Sequence, residues 1–422
     1  MVTVGAILTG ENAGCMAVQA RLLLISRDDD LIGPLAEGLD RLGWRNVTAR
    51  GPYAAIAAVA DLEIEAAIID LAGCDDPIDL AARLKAAVAP RRLPVVAVGE
   101  LTDEARLAFD LNMAPPLHAA QAAMRLESLV RMAVAEEEFE LRQATFSDRG
   151  KPLKLKTDSK VAHRILAVGE PAPQFLALSN ALARSGGEVI GAFTAYTAFD
   201  YLHEKAFEAV VLWAGENPQE ALSIAAGMRR NTRLYHIPTL LYLPPENQPV
   251  VTEAFHRGVS DVASPGAPEA ETAARVMELA RAYRRQNNIR QALESARKTG
   301  LMDGKTGLFT RELFAGHLGR LAKAAHERNR PLSVCVLRVN ETPELARLRA
   351  GGWMDRAAPQ IGSMIARLVR AEDTAARLAP DAFALALPAT PAQSARAAAE
   401  RIAAVIACTA FEAGEDKPPF VV

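Results

Sequence analysis

Short apolar runs alternate with Ala/Leu-rich helical stretches twice along the chain. The first set is RLLLI (21–25), NVTA (46–49), AAIID (66–70) and LPVVAV (93–98). The second is RILAVG (164–169), GEVIGAF (187–193), FEAVVLW (207–213) and IPTLLYL (237–243). Runs lacking in/out alternation are strands buried on both faces, and their separation by helices predicts two parallel, doubly wound sheets. DDD at 28–30 supplies an acidic start for the helix after the first run. Each set closes on a long charged helix, RLESLVRMAVAEEEFELRQ (125–143) and VMELARAYRRQNNIRQALESARK (276–298). Between them SDRGKPLKLKTDSK (147–160) is polar and carries Pro and Gly, a linker by composition.

The rhythm changes at Asp303. Strand LSVCVLRV (332–339) leads into helical spacing to about Val369, two short strands around an Ala-Pro turn, and a helix from Pro391 to about Ala407. Thr390 is the expected cap of that helix, and Pro391 suits its first turn. The predicted organisation begins with an extension at 1–19, expected to be disordered, with Met16 as an alternative start. Domains at 20–145 and 162–285 follow, joined by a linker at 146–161. A connecting helix at 286–302 then leads to a third domain at 303–422.

A chain of 422 residues exceeds one ordinary core, which agrees with several domains. A net charge of −3 provides no field that would gather nucleic acid or an anionic membrane. No apolar run approaches membrane-spanning length, and the N-terminal stretch lacks the basic start of a signal peptide. The four cysteines, Cys15, Cys74, Cys335 and Cys408, have no pair spacing, which fits a reducing cytoplasm.

In strand order and spacing the first two domains resemble response-regulator receiver domains, a flavodoxin-like fold. The resemblance places Asp70, at the end of AAIID, at the phosphoacceptor position. That family's chemistry needs an acidic pair for Mg²⁺, a hydroxyl and a Lys around the phosphoryl group. Here the acidic pair falls on Ser26 and Arg27, with Asp28 just beyond; the hydroxyl falls on Gly99 and the Lys on Ala114. Arg27 is the expected partner of Asp70. In the second domain the same positions hold Trp213, Leu243 and Ser264, and a Trp accepts no phosphoryl group. Retained fold with lost chemistry suggests a protein–protein surface, and the resemblance implies a homodimer through the receiver domains.

DGKTGLFTR (303–311) resembles the entry motif of GGDEF domains, the diguanylate cyclases. The family's Asp-hydrophobic-Asp then falls on Arg338-Val339-Asn340, and its guanine-reading Asn and Asp on Ala346 and Asp355. Its Gly-Gly-Asp/Glu-Glu-Phe turn falls on Ala379-Pro380-Asp381-Ala382-Phe383. Ala379 restores a Cβ, and Pro380 fixes φ and removes an N–H donor. The side-chain metal positions are Arg338 and Ala382, so the resemblance implies a degenerate domain that holds no metal and is not an enzyme. KPPFVV (417–422) is similar to the start of the family's next strand, so either the domain is C-terminally shortened or the sequence is incomplete. Upstream of the turn the family carries an Arg-x-x-Asp inhibition site for cyclic di-GMP, matched by Arg370 and Asp373, with a second Arg matched by Arg401. By the resemblance, the chain is a cyclic di-GMP effector at a cell pole, an adaptor that recruits cell-cycle regulators for ClpXP-dependent proteolysis. The alternatives are a regulator switched by phosphorylation of Asp70 and a residual cyclase.

Overall fold

The computed structural model describes residues 5–6, 21–101, 105–113, 115, 117–155, 161–215, 218–231, 233–234, 236–243, 249–264, 266–296, 300–340, 352–411 and 419–422. The first domain holds β2 (Arg21–Ile25), β3 (Arg45–Ala49), β4 (Ile64–Asp70), β5 (Val95–Val98) and β6 (Leu111–Met113), all parallel, in the order β3-β2-β4-β5-β6. The second repeats it with β7 (His163–Val168), β8 (Gly187–Ala192), β9 (Ala209–Trp213), β10 (Thr239–Tyr242) and β11 (Asp261–Ala263), ordered β11-β10-β9-β7-β8. Both are the doubly wound α/β arrangement expected of receiver-like domains. Leu22, Leu23, Leu24, Ile68 and Ile69 are fully buried, as strands covered on both faces require. Helix α1 (Asp29–Arg41) starts where the Asp28 carboxylate accepts from the backbone N–H groups of Asp30 and Leu31.

The third domain is a sheet ordered β1-β12-β14-β13, from β1 (Gly5–Ala6), β12 (Leu332–Arg338), β13 (Thr374–Ala379) and β14 (Ala382–Pro388). On one face helices Trp353–Leu368 (α11) and Ala392–Ala407 (α12) enclose Ile361, Ile365, Phe383, Leu385 and Ile402. On the other, helix Arg311–Glu327 (α10) packs over Ala376, Ala384 and Ala386. Thr310 caps α10, as its position in the entry motif suits.

The long helices bind the domains together. Helix α4 (Ala119–Ser147) leaves the first domain, and its far end, Phe139 and Phe146, lies in the core of the third beside Phe309 and Leu313. Helix α9 (Glu269–Ala296) packs on the second sheet and sends Ile289 and Ala292 into that same core.

Several expectations need correction. Within 1–19, Gly5–Ala6 pairs antiparallel with Val336 and Cys335, because the outer edge of β12 offers unpaired backbone groups; the other residues of that extension lie outside the described residues. The linker at 146–161 is not all solvated: Phe146 closes α4 and Leu153 is buried in the third domain's core. The connecting helix at 286–302 is not separate, since α9 runs unbroken from Glu269. Thr390 does not cap α12; its hydroxyl donates to the Pro388 carbonyl, and the helix starts one residue later than expected.

Candidate functional site

Helix α11 ends at Leu368, and the chain turns through Arg370-Ala371-Glu372-Asp373 into β13. The spacing closes a small ring. Arg370 N–H donates to Asp373 Oδ2 at 2.8 Å, and Asp373 N–H donates to the Arg370 carbonyl at 3.3 Å. The Arg370 side chain is exposed, whereas Asp373 is buried. The second carboxylate oxygen of Asp373, Oδ1, is buried with no hydrogen-bond partner among the described residues. An unmet buried acceptor of this kind is costly unless a ligand or water supplies a donor.

Arg370 and Asp373 line a cavity of about 430 Å³ between the third domain and the second. The opposite wall comes from Arg233 and His236 and from Tyr283, Asn287 and Arg290 of α9. Its lining is rich in arginine, Arg233, Arg290 and Arg367 included, and suits an anionic ligand with aromatic or amide faces. His236 is driven down to about 3 by burial and by Arg290 and Arg229, so it is neutral at pH 7. Nothing in the sequence pointed to Arg142, Arg233 or Arg290.

Glu372 is buried, and that burial, with the Asp373 carboxylate beside it, lifts its carboxyl to about 7 from an ordinary 4.5. A folded-state pKa above the unfolded one means the folded protein holds the proton longer. Stability therefore falls as pH rises from 4.5 to about 7 and levels off above. The full cost is on the order of 3 kcal/mol. Glu372→Gln is expected to be more stable than the parent at pH 8 and nearly equal at pH 4.5 in urea titrations. A difference independent of pH would refute the assignment.

Arg401 is exposed on α12 and is not among the residues lining this cavity. Ala395, Ala399, Ile402 and Ile406 turn to the sheet, which leaves Arg401 about a quarter-turn away, toward solvent. The expected three-residue grouping is thus observed as a pair.

The hairpin turn is occupied by its own residues. Arg338 lies opposite Ala382 in the register, and Phe383 is buried opposite Leu337. Arg338 Nε donates to Asp381 Oδ2 at 3.1 Å, and Arg377 Nη2 to the Pro380 carbonyl at 3.4 Å. Ala379 pairs with Ala382 at the end of β13. Asn340 follows β12, while Ala346 and the side chain of Asp355 lie outside the described residues.

Asp70 is buried at the end of β4, but its partner is not Arg27. Ser26 Oγ donates to Asp70 Oδ2 at 2.6 Å, and Ala72 N–H to Oδ1 at 3.1 Å. Arg27 instead reaches Asp75 at 3.7 Å, because it points outward from the strand end where Ser26 points inward. Ala114 lies outside the described residues. In the second domain Trp213 packs tilted against Tyr242 and edge-on against Phe175, at centroid distances of 4.8 and 6.2 Å, and Leu243 is buried.

Comparison with known proteins agrees with this layout. Residues 300–420 match the family model "Diguanylate cyclase, GGDEF domain", so this part of the chain is a GGDEF domain. The chain is homologous to the response regulator PleD of Caulobacter vibrioides, 25% identical over 193 residues, covering 46% of this chain and 42% of PleD, less than half of that relative's length. Among solved structures, a putative response regulator from Chloroflexus aurantiacus is 16% identical with a TM-score of 0.27, covering 28% of this chain and 98% of its own. The GGDEF domain of DgcB from Caulobacter crescentus, solved in complex with c-di-GMP, is 20% identical with a TM-score of 0.26, covering 28% of this chain and 68% of its own. No helix among the described residues is long and apolar enough to cross a membrane.

Proposed function

We infer that this protein binds cyclic di-GMP at Arg370 and Asp373 and does not synthesise it, an effector similar to the degenerate PleD relative PopA. The observation that carries the reading is the contrast between two turns. At the clamp an exposed guanidinium and an orphaned carboxylate oxygen face an arginine-lined cavity. At the hairpin Arg338 and Asp381 pair with each other where the family's turn approaches a nucleotide.

A guanidinium fork matches the O6 and N7 acceptors of guanine, and Asp373 Oδ1 accepts from the base's N–H donors. The lining arginines complement two phosphates. Arg401, turned to solvent, serves a ligand copy or phosphate outside the cavity rather than its floor. The experiment is calorimetric titration of the purified chain with cyclic di-GMP; absence of heat and of competition by labelled ligand would overturn the reading.

GTP is expected to remain unconverted in the presence of Mg²⁺ or Mn²⁺. Condensing two GTP molecules needs metal to neutralise triphosphate charge, and a cation at 338 with an alanine at 382 offers that metal no carboxylate. Chromatographic detection of cyclic di-GMP above a no-protein control would refute this. Restoring Gly-Gly at 379 and 380 alone is expected to change nothing.

The receiver-like domains then serve as a docking and self-association platform. Phosphorylation at Asp70 draws less support, since Ser26 holds its carboxylate and Asp28 is used as a helix cap. Polar placement and recruitment of regulators to ClpXP follow from the likeness to PopA and extend the same reading.

A further inference from the structure

We propose that Arg142, on the helix leaving the first domain, is a positioning residue for the clamp and ties the first domain energetically to ligand binding. The proposal rests on the reading above for the identity of the ligand, and on geometry for the rest.

Arg142 is 1% exposed although it sits in a highly charged helix. Its Nη2 donates to the Asp373 carbonyl at 2.8 Å and to Thr374 Oγ1 at 3.2 Å, and its Nε pairs with Glu138 one turn earlier. Glu138 Oε1 also accepts from Thr374 Oγ1 at 3.2 Å and stands 2.9 Å from His317 Nε2 on α10. His317 Nδ1 is 3.0 Å from Thr145 Oγ1, back on α4. One helical stripe, 138, 142 and 145, therefore holds the first residues of β13 and the middle of α10. A buried ion pair seldom adds more net stability than apolar packing of equal volume. What it does add here is direction. Fixing the Asp373 carbonyl fixes the peptide plane, and with it the aim of the carboxylate whose Oδ1 is unmet. A planar fork can serve Glu138, Thr374 and the carbonyl at once, whereas an ammonium lacks that fixed geometry. Because linkage is reciprocal, a ligand that engages Asp373 must in turn strengthen the seating of α4.

The test uses the full chain, with hydrogen exchange and calorimetry. Cyclic di-GMP is expected to slow exchange of amides 138–146 in the unaltered protein. Arg142→Lys is expected to weaken affinity by about tenfold. In the same variant without ligand, amides 370–375 should exchange faster. Thr374→Val, which deletes only the hydroxyl, should show a smaller change in the same direction, and it serves if Arg142→Lys does not fold. Unchanged affinity together with unchanged exchange at 370–375 would overturn the proposal. If the unaltered chain binds no cyclic di-GMP, the functional reading fails, and the exchange of 370–375 in unliganded Arg142→Lys still decides whether Arg142 positions the clamp.

Discussion

Arg370→Ala is expected to weaken cyclic di-GMP binding by about ten- to a hundredfold while the protein keeps its thermal transition. The magnitude follows from losing one or two charge-assisted hydrogen bonds of roughly 1.5–3 kcal/mol each. The fold is spared because the ring to Asp373 is made by the backbone N–H of residue 370, which alanine retains, while the side chain removed is exposed. Asp373→Ala should weaken binding at least as much and also open the ring, lowering stability, because Oδ2 closes it. The two variants thus separate ligand contact from turn closure. Equal affinities in calorimetry for parent and Arg370→Ala would reduce the clamp to a structural turn.

Asp261→Ala is expected to cost about 3–5 kcal/mol of stability, the penalty for leaving buried charge without its counterion. Asp261 is fully buried at the start of β11 and meets Arg125 and Gln121 of α4 and Arg275 of α9, so it joins the first domain to the second. Burial alone would raise its pKa, but Arg125 and Arg275 outweigh that and hold it below the usual carboxylate range. Its contribution is accordingly complete above the unfolded value of about 3.8 and is lost as pH falls through the lower folded value. Urea unfolding followed by tryptophan fluorescence at pH 7 measures the loss. A change under 1 kcal/mol, within the range of an exposed ion pair, would show that the contact is not buried in solution.

The parallel sheets were readable because strands buried on both faces announce themselves as apolar runs, and β2, β4, β7 and β9 fall where those runs lie. The cavity was not. Its walls come from residues far apart in sequence, such as Arg142, Arg290 and Arg370, and only the docking of three domains assembles them. Glu138 and Arg142, four apart, have the spacing of an ordinary solvated helix pair, so nothing local marks them as buried. Asp70 was correctly placed at a strand end yet wrongly partnered, because which of two neighbours turns inward depends on the pleat rather than on charge.

The facing of Arg338 and Ala382 gives the proposed loss of synthesis a direction in time. On opposed strands their Cβ atoms stand about 5 Å apart, so an acidic residue regained at 382 would be captured by the guanidinium at 338 before it could hold a dication. Descendants of this chain could recover a metal site only by discarding the charge at 338 first, and that intermediate strips Asp381 of its partner while returning no activity. Neither single step is rewarded. On the proposed reading the hairpin behaves as a ratchet, closing the way back to a metal site once both positions have changed.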